Sequence, residues 1–366
     1  MDPRIIKLAD ILVNYSTEVK PGDKVAIRGD VAALPLLNEV LRFTLRAGGL
    51  PMLILDSEAF METLYTEAGP DQLKYVPPLE KIQNEDMDVI IFARASENTR
   101  ALTGVDPAKQ AAHQSALRPF REARMDRSAA GKLRWVLTQF PCSAYAQEAD
   151  MSLEEFEDFV YGATFADRDD PVSYWLDIAK TQQRLVDWLK GKNQVTVKGP
   201  NVDMNLSIKG RTFINSAGKR NMPSGEIYTG PVENSVNGWV RFTYPAVREG
   251  REVEGVEFKF ENGKVVDATA KKNAAYLHSQ LDSDKGARYL GEFAVGTNYG
   301  IQRFTKNILF DEKIAGTIHM AVGAGYPDTG SKNRSAVHWD FICDMRDDSE
   351  IVVDGELFYK NGEFTI

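Results

Sequence analysis

Two histidines near the C-terminus are the first residues whose spacing suggests chemistry. His338 and Asp340 are two residues apart in a strand-like run, and alternate residues of a strand project from one face. His319 follows a second strand-like run at residues 314–318, so a neighbouring strand could bring its imidazole to the same place. Neutral imidazoles and a carboxylate are suitable ligands for one metal ion. A single histidine is more often an ordinary core or surface residue, so the prediction depends on the cluster.

Nearby carboxylates are individually less informative. Glu292 lies between Gly291 and an apolar Phe-Ala-Val run, where an unpaired carboxylate would be costly, so a metal ion or a hydrogen-bonding partner is expected. Glu226 follows a Pro-Ser-Gly turn and Glu312 is half of an Asp-Glu pair. Taken alone, both are typical of surface carboxylates.

Five short motifs carry a resemblance to a known family. They are Asn-Met-Pro-Ser-Gly-Glu-Ile-Tyr-Thr at 221–229, Gly-Glu-Phe-Ala at 291–294, Asn-Ile-Leu-Phe-Asp-Glu at 307–312, His-x-Ala-x-Gly-x-x-Tyr at 319–326 and Asn-x-Ser-x-x-His-x-Asp-Phe at 333–341. In content and order the chain resembles the thermophilic metallo-aminopeptidases, the family of aminopeptidases T and S and of the PepS type. It resembles a shorter member, with trimmed segments after Glu292 and after Tyr326 and an extended one after Glu312.

The resemblance implies a dinuclear, metal-dependent aminopeptidase that acts as a homodimer on peptide substrates. It assigns metal-site roles to six residues: Glu226, Glu292, Glu312, His319, His338 and Asp340. Six nitrogen and oxygen ligands are enough for two ions that share a carboxylate or a water, and they suit Zn²⁺, Co²⁺ or Mn²⁺ without choosing among them. Two such ions lower the pKa of a shared water and polarise a scissile carbonyl, and peptide hydrolysis needs both effects.

Two residues are predicted to be catalytic. Glu292 is favoured as the general base, combined with coordination. Tyr326 lies between glycine and Pro327, where its ring need not be core, and composition leaves an aromatic lid and a hydroxyl donor equally open. The family motif favours the donor, which would stabilise the oxyanion of the tetrahedral intermediate.

Two other functions use the same residues. His319, His338 and Asp340 alone form a two-histidine, one-carboxylate set suited to mononuclear Fe(II), as in ring-cleaving dihydroxypyridine dioxygenases. A metal-stabilised module without turnover would keep the ligands and have no use for Tyr326. The three glutamates favour hydrolysis, because a facial triad needs none of them.

Composition restricts the partners and the compartment. The 366 residues carry a net charge of −9, which argues against nucleic acid and anionic membranes as partners. No apolar stretch approaches the ~18 residues of a membrane helix, and the first residues do not have the pattern of a signal peptide. With only Cys142 and Cys343, a disulfide framework is not expected, which favours a cytoplasmic protein.

The elements that must position these residues fall into two predicted domains. In residues 1–191, strand-like runs at 24–28, 51–55, 88–93 and 134–138 alternate with helical patterns, which predicts an α/β domain with a mostly parallel sheet. Residues 192–366 change to short alternating runs with hairpin signals such as Asn262-Gly263, which predicts a β-rich α+β metal-binding domain.

Overall fold

The computed structural model describes residues 2–248 and 250–366 and divides the chain into two compact units. The first unit runs to Ser173 and includes Gly218–Pro223, and the second comprises Tyr174–Ala217 and Ser224–Ile366. None of the described helices combines the length and the apolar character needed to cross a membrane.

The helices and strands are numbered in chain order. The α-helices are α1 (Pro3–Asp10), α2 (Leu34–Arg46), α3 (Glu58–Glu67), α4 (Pro70–Lys74), α5 (Pro78–Lys81), α6 (Pro107–Ala129), α7 (Ser143–Glu148), α8 (Leu153–Ala163), α9 (Pro171–Leu189), α10 (Ala274–Leu281) and α11 (Ile308–Asp311). The strands are β1 (Lys24–Asp30), β2 (Leu50–Asp56), β3 (Val89–Arg94), β4 (Arg134–Gln139), β5 (Gln194–Gly199), β6 (Val202–Ser207), β7 (Ile214–Ser216), β8 (Asn221–Met222), β9 (Glu226–Thr229), β10 (Asn237–Arg241), β11 (Ala246–Arg248), β12 (Arg251–Val253), β13 (Glu257–Glu261), β14 (Lys264–Thr269), β15 (Leu290–Gly296), β16 (Thr317–Gly323), β17 (His338–Asp344), β18 (Glu350–Val353), β19 (Glu356–Lys360) and β20 (Glu363–Phe364).

The first unit is built on a five-stranded parallel sheet of order β2-β1-β3-β4-β8. All four strands predicted in this part of the chain are present as β1 to β4. Helices separate them along the chain, as parallel neighbours require, because the chain must cross back over the sheet between them. Val25, Ile27, Val89 and Ile91 are buried in the middle of the sheet, and burial of these side chains stabilises it.

The second unit contains an eight-stranded antiparallel sheet, β14-β13-β10-β6-β5-β18-β19-β20, and a five-stranded antiparallel sheet, β17-β16-β15-β9-β7. The two sheets share one apolar core, in which the Phe341 ring of β17 lies 5.0 Å from the Phe258 ring of β13. The predicted hairpin is present between β13 and β14. Its Asn262 and Gly263 both have positive φ, as a type I′ turn requires.

The division between the units lies earlier in the chain than the boundary expected at Gly191. Most of α9 belongs to the second unit, because its Leu185 and Leu189 are buried in the core of that unit. The helical pattern of the sequence predicts that α9 is a helix, but it does not predict which of the two units the helix packs in. The domain boundary at 191/192 stays a prediction.

Candidate metal centre

Strand periodicity places Glu292, His319 and Asp340 on one face of the five-stranded antiparallel sheet. Glu292 of β15 and Asp340 of β17 both pair with Ala321 of β16, and His319 lies two residues before Ala321. Residues opposite each other in a ladder, and alternate residues of a strand, share a face. Between the strands that carry the two carboxylates, β16 therefore presents only the small methyl group of Ala321.

His338 and Glu226 complete the ligands that this face supplies. His338 pairs with Gly323 of β16, and Glu226 of β9 pairs with Gly296 of β15. Both of these partners are glycines, so β15 and β16 present no side chain opposite the Glu226 carboxylate or the His338 imidazole. A bulge between Leu290 and Glu292 sets the register that brings Glu292 to this face.

The opposite face of the same strands is apolar. Phe293, Met320, Trp339 and Phe341 alternate with the polar residues and are buried in the core of the second unit. One face of the sheet is therefore fixed by hydrophobic packing, and this packing holds the polar face rigid.

Glu312 reaches the cluster from outside the sheet. It directly follows the short helix α11, whose first turn is capped by the Asn307 side chain, which accepts a hydrogen bond from the Leu309 N–H at 3.1 Å. The buried Asp311 carboxylate accepts hydrogen bonds from the Thr305 N–H at 2.7 Å and from the Thr305 hydroxyl at 2.9 Å. These bonds fix the turn that directs Glu312 inward.

The structure brings all six predicted ligands together. His319 Nε2 lies 3.1 Å from Glu226 Oε2 and 3.5 Å from Glu292 Oε1, and His338 Nε2 lies 3.4 Å from Glu292 Oε2 and 3.5 Å from Asp340 Oδ1. Ligand atoms within 4.8 Å of one another form three overlapping sets: Glu226, Glu292 and His319; Glu292, His338 and Asp340; Glu312, His319 and Asp340. Their function as ligands stays a prediction.

The charges of this cluster fit divalent cations. Glu226 and Glu292 are only 5% and 4% exposed, and buried carboxylates this close repel one another. Burial raises the pKa of Glu312 to about 7 and raises that of Glu292 as well. Burial alone would lower the pKa of His338, but Asp340 and Glu292 raise it to about 10. Without metal, protons therefore supply part of the positive charge that this site requires.

The histidine rings are oriented for coordination. His338 Nδ1 lies 2.8 Å from the Ala324 carbonyl oxygen, which leaves Nε2 directed at the carboxylates. Such a backbone contact commonly fixes the tautomer of a metal-binding histidine. His319 is buried, with Nε2 directed at Glu226 and Glu292, and its Nδ1 has no hydrogen-bond partner in the described part of the chain. The donor set, its burial and its ring orientations all fit a metal site.

Tyr326 lies beside the cluster. Its ring centroid is 5.1 Å from that of His338 and 5.5 Å from that of Tyr228, and the residue is 39% exposed. The protein around its hydroxyl, followed by the charges of Glu292 and Asp340, keeps the pKa of Tyr326 well above its ordinary value. The hydroxyl therefore stays protonated and can donate a hydrogen bond.

One residue of the cluster was not predicted from the sequence. Lys313 is 0% exposed, its ammonium group contacts the Glu312 carboxylate, and it lies 3.9 Å from Glu226 Oε1. The only signal in the sequence is its place directly after a candidate ligand and before the apolar Ile314, and an exposed lysine could occupy the same place. A lysine is almost never fully buried unless it is paired.

Comparisons with known proteins extend over nearly the whole chain. The family model of the thermophilic metalloproteases (M29) matches residues 1–364. Aminopeptidase 2 of Geobacillus stearothermophilus is 27% identical over 384 residues, covering 93% of this chain and 92% of its own. Aminopeptidase PepS of Streptococcus thermophilus is 25% identical, covering 98% and 97%.

A solved structure shows the same fold. Wild-type AmpT from Thermus thermophilus superposes with a TM-score of 0.85 at 21% identity and covers 99% of both chains. The predicted fold class, a parallel α/β part followed by a β-rich part, is thereby confirmed. So is the predicted class of protein, because the match to the family model extends over nearly the whole chain: the chain belongs to the thermophilic metalloprotease (M29) family.

Proposed function

We propose that this protein is a metal-dependent aminopeptidase that holds two divalent ions and removes N-terminal residues from peptides. The observation that carries the proposal is the convergence of four carboxylates and two imidazoles, of which all but Glu312 lie on one face of one sheet. Zn²⁺, Co²⁺ and Mn²⁺ are the candidate ions, because each accepts mixed nitrogen and oxygen ligands. The family match and the names of the aminopeptidase relatives support this activity.

The six ligands divide into two ion positions. Glu292, His338 and Asp340 form the first position, and Glu226 and His319, with Glu312 beside them, form the second. Glu292 lies between the two positions, because its Oε1 is 3.5 Å from His319 Nε2 and its Oε2 is 3.4 Å from His338 Nε2.

The residues of the chain have separate tasks during hydrolysis. When bound, the two ions supply Lewis acidity, which polarises the scissile carbonyl and makes water a better nucleophile. Glu292 accepts the proton of the attacking water through the carboxylate oxygen that does not coordinate an ion. Tyr326 donates a hydrogen bond to the oxyanion that forms on the carbonyl oxygen.

The acidic cluster also accounts for a free amino terminus in the substrate. A carboxylate oxygen of the cluster that the ions leave free can accept a hydrogen bond from the ammonium group of an unblocked peptide. An acetylated peptide lacks this charge. We therefore expect release of amino acids from di- and tripeptides, and poor turnover of the same peptides after N-acetylation.

The test compares matched peptides in the presence of added metal. Purified protein is stripped with a chelator, reloaded separately with Zn²⁺, Co²⁺ or Mn²⁺, and assayed by amino-acid analysis on tripeptides with free or acetylated N-termini. Activity that is lost on chelation and restored by metal, and that prefers the free amine, supports the proposal. Equal hydrolysis of both peptides would refute the aminopeptidase assignment.

A mononuclear Fe(II) dioxygenase uses three of the same residues and predicts a different metal content. Elemental analysis after limited reconstitution should find two divalent ions per chain. One firmly bound iron, together with oxygen consumption on dihydroxylated pyridines and no peptide turnover, would replace the peptidase proposal.

Location and assembly are parts of the same proposal. The two cysteines are buried and unpaired, which suits a reducing cytoplasm. A homodimer is expected from the resemblance to the family. Light scattering coupled to size-exclusion chromatography tests it, and a monomer at all concentrations would contradict it.

A further inference from the structure

The ammonium group of Lys313 lies inside the carboxylate cluster. The side chain is fully buried, contacts the Glu312 carboxylate and lies 3.9 Å from Glu226 Oε1. Burying an ammonium group requires partners of opposite charge, and Glu312 and Glu226 supply them. The charge of the ammonium group is therefore matched by carboxylates at contact or near-contact distance.

The backbone keeps Lys313 in this position. Its N–H donates to the Phe310 carbonyl oxygen at 3.0 Å, and its carbonyl oxygen accepts from the Asn298 N–H at 3.0 Å. Asn298 is itself buried, and its side-chain amide donates to the Ser224 carbonyl oxygen at 2.8 Å. The lysine is therefore anchored at both backbone groups, and its side chain is directed at the carboxylates.

The two ion positions differ in their relation to this charge. The ammonium group contacts Glu312 and lies near Glu226. Both carboxylates belong to the ion position around His319. The other position, formed by Glu292, His338 and Asp340, contains neither of them. Two of its members also group with residues of the His319 position, Glu292 with Glu226 and His319, and Asp340 with Glu312 and His319. A divalent ion at the His319 position must compete with the Lys313 ammonium group for Glu312 and Glu226. At this short distance the ammonium group also repels the ion.

We propose that Lys313 makes the two ion positions unequal: the Glu292–His338–Asp340 position binds tightly, and the His319 position binds weakly because its carboxylates are already paired with the ammonium group. This inference rests on the two-ion centre of the proposed function. It also predicts that in the metal-free protein Lys313 offsets part of the repulsion among the four carboxylates. The weak position would then exchange its ion while the tight one stays loaded.

The test is a titration of the metal-free protein with Zn²⁺ by calorimetry, checked by elemental analysis. Wild type should bind two ions whose dissociation constants differ by at least about tenfold. Lys313→Met removes the charge with little change in shape and should tighten the weaker event by at least about tenfold, since it removes a unit charge next to two ligands. Lys313→Arg keeps the charge and should preserve the wild-type inequality.

The unfolding of the metal-free proteins provides a readout that does not depend on activity. Metal-free Lys313→Met should unfold at a lower temperature than wild type, because Glu312 and Glu226 lose their ammonium partner. Zn²⁺ should stabilise the variant more than it stabilises wild type. If the variant folds only with metal, it can be purified loaded, and chelator competition then measures the release of each ion.

The outcomes separate the two proposals. One ion per chain in wild type and in Lys313→Met, at saturating Zn²⁺, would refute the two-ion centre. Two ions of equal affinity in wild type, or a second event that Lys313→Met leaves unchanged or weakens, would refute the function of Lys313 and leave the two-ion centre intact.

Discussion

Replacing Tyr326 with phenylalanine separates catalysis from metal binding. The change removes one hydroxyl and keeps the ring that packs against His338 and Tyr228. The Tyr326 hydroxyl makes no hydrogen bond to any residue between 2 and 366 that the structure describes, so its loss should change the free energy of unfolding by no more than about 0.5 kcal/mol. Metal content should be unchanged, because neither ion position includes Tyr326.

Turnover should respond differently. Loss of one oxyanion donor typically lowers kcat by about 10² to 10³, which corresponds to roughly 2.7–4 kcal/mol of transition-state stabilisation. The effect on KM should be smaller, because the donor acts on the tetrahedral intermediate and little on the bound substrate. The assay measures kcat and KM on an unblocked tripeptide, with metal content determined on the same samples.

Tyr276→Phe is the matched control. The Tyr276 ring packs 5.8 Å from that of Trp339, on the apolar face of the same sheet, and its hydroxyl donates to the Arg248 carbonyl oxygen at 3.2 Å. Losing this hydrogen bond should cost about 1 kcal/mol of stability and leave kcat unchanged. A near-wild-type kcat for Tyr326→Phe at full metal content would refute the catalytic function of Tyr326, and a loss found instead in Tyr228→Phe would transfer it to that residue.

Three further perturbations test how the sheet forms the site. Ala321→Leu places a larger side chain between the strands that carry Glu292 and Asp340, so it should weaken Zn²⁺ binding in a titration and lower the free energy of unfolding by about 1–3 kcal/mol through overpacking. Met320→Leu on the opposite face should lower the free energy of unfolding by less than about 1.5 kcal/mol and leave Zn²⁺ binding unchanged. His338→Ala should weaken binding at its position by more than about 100-fold in a chelator competition, since loss of a mere supporting partner already costs 10–100-fold; unchanged occupancy would exclude His338 as a ligand. Chelation should lower the melting temperature in calorimetry by about 3–4 °C for each ion removed, because an ion present at 100 times its Kd contributes about 2.7 kcal/mol and a chain of 366 residues unfolds with an entropy of roughly 0.8 kcal/mol/K. An unchanged melting temperature would mean that the ions do not stabilise the fold.

Local patterns in the sequence were sufficient to predict the elements and part of the site. Apolar runs separated by helical patterns predicted β1 to β4, and the parallel sheet follows because such connections place neighbouring strands in the same direction. The two-residue period of a strand likewise predicted that His338 and Asp340 share one face, as they do in β17. Metal ligands are constrained by residue type, so the ordered motifs identified the family as well.

The rest of the site depends on which strands and loops pack against one another, and the periodicity of the sequence does not predict these long-range contacts. Pairing register placed Ala321 between Glu292 and Asp340, and pairing of β9 with β15 brought Glu226 to the cluster from far away in the chain. Glu312 directly follows the short helix α11, whose position depends on the hydrogen bonds that Thr305 and Asn307 make with Asp311 and Leu309.

Lys313 shows the difference most clearly. In the sequence it is one of 44 basic residues, and an exposed lysine after an Asp-Glu pair would look the same. Its effect on the site comes from complete burial against Glu312 and Glu226, and this burial is a property of the tertiary structure alone. Residue type and spacing determined what chemistry this protein could perform, because ligand preference and strand period are local. Charge balance at the site was decided by folding, because burial and distance between charges are properties of the whole packed chain.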